Sequence, residues 1–247
     1  MEDLKDHTRL RRPGGDPIGH PVISCRDIRF SYSAEFSLEI DHLDIGKGQR
    51  VAITGPSGCG KTTFIKLMAG ILRPDTGKIF LDGLDITSYS HTDLQDLRIV
   101  KTGLVFQEFE LLDYLSVIDN VTLPLRLNPI LKYERKHSSR AQELLNSVGL
   151  GNKSKRYPGH LSQGERQRVA VCRSVITSPG ILLYDEPTAN LDAKNRDAIL
   201  KIIFDYCQTH SATLVMVTHD REIVSAFDRQ IDLSKYSFTI NSGTDES

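Results

Sequence analysis

Gly55-Pro56-Ser57-Gly58-Cys59-Gly60-Lys61-Thr62 is the stretch that decides how this chain folds. It fits G-x-x-x-x-G-K-[ST], in which glycines let the backbone curl until successive N–H groups point inward at phosphate oxygens. A helix opening at the end of such a loop adds the positive end of its dipole to the same phosphates. Lys61 can reach the β- and γ-phosphates of a nucleotide, and the Thr62 hydroxyl can ligate Mg²⁺. The motif requires a strand before it and a helix after it. Arg50 to Thr54 supplies a short β-rich run, and Thr62 to Leu72 sets Phe64, Leu67, Met68 and Ile71 on one helical face. Cys59 stands inside the loop and admits two readings: a small side chain tolerated there, or a thiol whose oxidation blocks phosphate binding.

A second run completes the chemistry. Ile181-Leu182-Leu183-Tyr184-Asp185-Glu186 is an apolar strand that ends in two acids. An acidic turn after any core strand looks the same, so the run takes its meaning from the phosphate loop. At the carboxyl edge of an α/β sheet the two acids would lie beside that loop. There Asp185 can hold Mg²⁺ through its water shell, and Glu186 can polarise an attacking water as general base. Thr213 to Thr218 is a further apolar strand, and Ala193 to Gln208 between them reads as a helix. Strands alternating with helices imply a parallel sheet. Upstream, Val22 to Ser31 and Phe36 to Ile45 alternate apolar and polar residues as half-buried strands do. Residues 108–165 carry helical patterns, such as Arg140 to Val148, and no central strand.

Composition narrows the class. The 247 residues suit one large domain or two small ones, with 26% charged and 39% hydrophobic residues and a formal net charge of −1. That balance gives no reason to expect a nucleic-acid partner. The four cysteines are scattered, without a CxxC pair, which fits a reduced intracellular compartment. No apolar run approaches the length of about 18 residues that a membrane helix needs. A cytoplasmic location is therefore expected. Residues 1–20, polar and rich in Pro and Gly, read as a disordered lead-in, 21–238 as the folded domain and 239–247 as a flexible tail.

With these elements in hand, residues 22–233 resemble the nucleotide-binding subunits of ABC transporters. Leu161-Ser162-Gln163-Gly164-Glu165 is similar to the signature sequence usually written LSGGQ, which kinases and GTPases with the same phosphate loop lack. Gln163 and Glu165 depart from that pattern; Ser162 and Gly164 keep it. Gln107 resembles the Q-loop glutamine, Asn190-Leu191-Asp192 the D-loop that crosses a dimer interface, and His219 the switch histidine that contacts the γ-phosphate. Tyr32 sits where the family often stacks an aromatic ring on adenine. The resemblance implies a P-loop NTPase fold of the α/β class: a mainly parallel core, an N-terminal antiparallel β subdomain and a helical subdomain at about 108–165.

It also implies a mechanism. Two copies bind two ATP head to tail, each ATP clamped between Gly55, Pro56, Ser57, Gly58, Cys59, Gly60, Lys61, Thr62 and Thr63 of one copy and Ser162, Gln163, Gly164 and Glu165 of the other. Thr62, Gln107 and Asp185 serve Mg²⁺, Glu186, His219 and Lys61 serve hydrolysis, and Asp192 lies at the interface. A membrane permease is the expected partner, docked around residues 107–125, which would hold the chain at the cytoplasmic face of a membrane. Val105 to Pro124, with Tyr157-Pro158, resembles the lipoprotein-releasing, macrolide-exporting and glycolipid-exporting branch, while importer subunits share much of the pattern. Soluble relatives that remodel other complexes usually carry tandem ATPase domains or a long coiled coil between Gln107 and the signature, where this chain has 55 positions.

Overall fold

The computed structural model describes residues 21–240 except 34, 35, 129, 132, 190 and 237. The lead-in expected at 1–20 and residues 241–247 lie outside the described residues.

Two sheets share one core. The first is antiparallel, in the order β10-β2-β1-β4-β5, from β1 (Ile23–Ser33), β2 (Phe36–Ile45), β4 (Thr76–Leu81), β5 (Leu84–Asp85) and β10 (Phe238–Ile240). Alternation in β1 and β2 puts Ile23, Cys25, Ile28, Leu38, Ile40 and Ile45 inside. β10 comes from the far end of the chain and pairs with β2, Phe238 opposite Leu38 and Ile240 opposite Phe36. The paired segment thus runs past 238, where a tail was expected to begin.

The second sheet is parallel throughout, in the order β6-β7-β8-β3-β9, from β3 (Arg50–Thr54), β6 (Thr102–Val105), β7 (Ile181–Asp185), β8 (Thr213–Val217) and β9 (Arg229–Asp232). Every residue of β7 and β8 is buried, as expected of strands covered on both faces. Tyr184, the bulkiest fully buried side chain, meets its polar requirement through a 2.6 Å bond between its hydroxyl and Ser174 Oγ.

Helices complete the layers: α1 (Lys61–Met68), α2 (His91–Lys101), α3 (Val117–Leu127), α4 (Arg135–Ser147), α5 (Gln163–Val175), α6 (Ala193–His210) and α7 (Arg221–Val224). α1 is shorter than its apolar pattern suggests. The chain leaves the helix at Ala69 and turns left-handed at Gly70 (φ 62°), so Ile71 is exposed instead of facing the core. α3, α4 and α5 bury a small core of their own around Val117, Val121, Leu145, Leu161, Val169 and Cys172. All four cysteines are free and buried, and burial pushes the thiols of Cys25, Cys172 and Cys207 up to about 12.

Candidate functional site

Strand register gathers the site. Ile53 lies opposite Val217, Val217 opposite Asp185, and Val105 opposite Tyr184. The segments that follow these residues leave the sheet at one edge, which is where open α/β sheets hold ligands. Gly55, Gln107, Glu186 and His219 each come one or two residues after such a strand position.

The loop after β3 needs its glycines. Gly55 has φ 147° and Gly60 has φ 93°, both in the left-handed half of the map. A Cβ on Gly55 would fall 2.7 Å from Cys59 Sγ, and one on Gly60 2.9 Å from Phe36 Cζ. Cys59 is therefore buried as packing for the loop, and burial raises its thiol above the usual range. Lys61 Nζ donates to the carbonyls of Gly55 (3.0 Å) and Pro56 (2.8 Å). The Thr62 side chain faces Asp185 across the edge. Asp185 is 4% exposed; burial pushes its carboxyl up, and the nearby Thr62 side chain opposes this.

Glu186 takes the left-handed conformation, φ 49°, which costs a non-glycine residue about 1–2 kcal/mol. The surrounding ladder holds it there: its N–H donates to Val217 O at 3.1 Å. The bend brings Glu186 Oε2 to 3.0 Å from His219 Nδ1. Beside them Arg196, at the start of α6, bonds Asp220 and Glu222 at 2.9 Å each. Glu186, His219, Arg196 and Asp220 line a cavity of about 310 Å³ with Thr188 and Leu191.

Gln107 stands at the same edge, exposed, two residues past β6. Phe109 (φ 28°) and Glu110 (φ 47°) follow it, and Arg173 of α5 donates to both carbonyls at 2.6 Å. Buried Asn120 holds the next turn by bonds to Leu112, Leu115 and Ser116. Tyr32 is exposed and packs edge-on to Phe30 (4.8 Å) and tilted to Phe36 (5.8 Å), the ring that backs Gly60.

Ser162 to Glu165 belongs to a different layer. Ser162 caps α5: its Oγ accepts from Glu165 N, and Glu165 Oε2 accepts from Ser162 N at 3.1 Å. Glu165 is thus turned back along the cap, and Lys153 pairs with its other oxygen. A Cβ on Gly164 would meet Asn195 Oδ1 at 3.0 Å, so the Asn195 side chain would have to give way. Asn195 in turn donates to Asp192, the cap of α6. Lys153, Arg173, Asn120 and Arg196 escaped the sequence reading. Each acts through a partner distant in sequence or through a backbone carbonyl, and neither leaves a spacing signal.

A family profile described as ABC transporter matches residues 38–189, more than half of the chain and all of the motifs from the phosphate loop to Glu186. The chain belongs to the ABC transporter ATP-binding family. It is 36% identical over 224 residues to the methionine import ATP-binding protein MetN of Rhizobium johnstonii, covering 91% of this chain and 61% of that protein. With the ABC transporter ATP-binding protein YtrE of Bacillus subtilis it shares 37% identity over 74% of this chain and 78% of that one. The chain thus spans about six-tenths of the methionine-import relatives it matches. Among solved structures, the dimeric post-hydrolysis state of the ATP-binding cassette MJ0796, bound to ADP and Pi, superposes with a TM-score of 0.78 at 30% identity, covering 85% of this chain and 93% of that one. The α/β fold, with its parallel core and antiparallel sheet, is that of the family.

Proposed function

We propose that this chain binds and hydrolyses ATP as one of two copies that clamp two ATP molecules head to tail, and that it drives a separate membrane permease. The observation that carries the reading is the 3.0 Å contact between Glu186 and His219 on the strand edge that also bears the phosphate loop. A carboxylate held beside an imidazole, at the end of a buried strand, is equipped to orient and deprotonate a water next to a γ-phosphate.

Hard oxygen donors suit Mg²⁺, and buried Asp185 with the Thr62 hydroxyl against it is such a pair. Among the described residues no three His, Cys, Asp or Glu side chains form a metal cluster, so the ion would draw on Thr62, Asp185 and Gln107 together with phosphate oxygens. When bound, Mg²⁺ offsets the charge that develops as the γ-phosphoryl group leaves.

The chain's own residues supply the rest. Lys61 exchanges its two loop carbonyls for phosphate oxygens. Glu186 takes the proton of the attacking water. His219 can turn Nε2 to the γ-phosphate while Nδ1 still faces Glu186. Tyr32 offers its exposed face to adenine. The Ser162 oxygen accepts from the helix cap and so keeps its own O–H free to donate to the γ-phosphate of a second copy's ATP, beside the positive end of α5. Asp192 then lies at the interface between copies. Binding closes the pair, and loss of the γ-phosphate reopens it.

No helix of the described residues is long and apolar enough to cross a membrane, and this reading assigns the membrane path to the permease. A cleft of about 450 Å³ between α2, α3 and α5, lined by Gln95, Arg98, Phe106, Leu123, Leu127 and Arg173, supports docking of that partner close to Gln107. It would hold the chain at the cytoplasmic face. Val105 to Pro124 favours an exporter-like partner, and the methionine-import relatives favour an importer. Tagged Glu186→Gln protein, recovered from gently solubilised membranes with Mg-ATP, tests the whole reading. A membrane protein that co-purifies with ATP and leaves without it supports the reading and settles its branch. Recovery with soluble complexes alone defeats the transport role.

A further inference from the structure

Glu165 poses a problem. It sits in the first turn of α5, three residues after Ser162, where the family usually has an uncharged glutamine. A carboxylate beside a cradle for phosphate adds negative charge where more is due to arrive. The structure contains the answer. Lys153 closes the short turn Gly151–Lys153 before the signature, and its ammonium pairs with Glu165 Oε1. The two side chains are 24% and 16% exposed, so water screens them little. Arg168, one turn further along α5, also faces this carboxylate, but its guanidinium donates to Asn195 Oδ1 at 3.2 Å. Glu165 Oε2 meanwhile accepts from Ser162 N, which keeps the cap closed and the Ser162 oxygen in place.

We propose that Lys153 is a positioning residue for the signature cradle: it fixes and neutralises Glu165, so that Ser162 and Gly164 can receive the γ-phosphate of ATP bound by a second copy. The proposal rests on the paired reading above. Lys153 lies beside the signature and outside the phosphate loop, so in this reading its loss acts in trans. Binding of ATP to the isolated chain is left alone, and closure of the pair suffers.

The test uses the full chain carrying Glu186→Gln, which suppresses turnover. ATP-driven dimerisation is followed by analytical ultracentrifugation, and ATP affinity of the monomer by a fluorescent ATP analogue at protein concentrations too low for pairing. Lys153→Met is expected to weaken dimerisation at least about tenfold, with monomer affinity within about twofold of the parent. Lys153→Arg should keep dimerisation. Adding Glu165→Gln to Lys153→Met should restore it to within about threefold, because the uncompensated charge is gone. If Lys153→Met does not fold, Lys153→Gln is read in the same way. Unchanged dimerisation in Lys153→Met, or a defect that Glu165→Gln does not relieve, overturns the proposal while the paired reading stands. A Glu186→Gln parent that stays monomeric with ATP sinks the paired reading, and the role of Lys153 falls with it.

Discussion

The edge of the parallel sheet and the start of α5 both present groups suited to phosphate, but they are built differently. At the edge, four parallel strands deliver Gly55, Gln107, Glu186 and His219 to one line, and two of them, β7 and β8, are buried on both faces. α5 begins in a layer with its own small core, and Ser162 and Gln163 at its start are exposed. One region is assembled by folding; the other is shaped by folding and, in the pairing proposed above, receives a second molecule. Function that needs both can be gated by anything that moves one layer against the other.

Four measurements can break or sharpen this contrast. Glu186→Gln should have the largest effect, lowering phosphate release about 10²- to 10⁴-fold while ATP binding persists. Hydrolysis at the parent rate would remove Glu186 as the base. Leu145→Ala should cost about 2–5 kcal/mol. Hydrogen exchange should then speed up in α3 and α4 and stay slow in β7 and β8. Uniform acceleration would mean that the layers are one cooperative unit. Ser162→Ala should lower stability by about 1 kcal/mol through the lost cap and hydrolysis by about 10- to 100-fold. Monomer affinity for ATP should not change, and a weakened monomer would place the cradle in the chain's own site. Smallest is Asp228→Asn, at the end of the parallel sheet opposite the site. The Arg50 guanidinium holds the Asp228 carboxyl below the usual range, through bonds of 2.7 and 3.3 Å. A carboxyl depressed in the folded state stabilises above its unfolded value, near about 3.9, and loses that contribution as pH falls through the folded value. The pair is partly exposed, so the cost at pH 7 should stay under about 1 kcal/mol by urea titration and vanish in acid.

How much of this was written in the chain depends on which interactions a residue obeys. The phosphate loop, β7 and β8 were legible because local geometry alone dictates them: glycines where φ is positive, unbroken apolar runs where both faces are covered. β4, β6, β9 and β10 escaped. β6 is a four-residue strand, Thr102–Val105, set directly against the end of α2. β9 reads Arg-Gln-Ile-Asp, with only Ile231 buried, and is recognisable only once β3 lies beside it. The overlong estimate for α1 has a simple cause. Ile71 continues the helical spacing, but Gly70 sits where a Cβ would strike Leu94 at 2.9 Å and where the backbone has already turned. At the site, the acids were visible from a strand end, and the histidine only through the family resemblance. The supporting arginines were not, since Arg196 finds Asp220 across 24 residues and Arg173 binds carbonyls, which every residue has.

The return of β10 to β2 has a consequence for biosynthesis. Phe238 pairs with Leu38, so the outer edge of β2 must wait for a partner 200 residues further along. At translation rates of roughly 5–20 residues per second, that wait is about 10–40 s. Throughout it the nascent chain carries a finished hairpin of β1 and β2 with one bare row of N–H and C=O groups, the kind of edge on which chains aggregate. Glu39 and Asp41, on the outward face of β2, place charge along that edge for as long as it stays open.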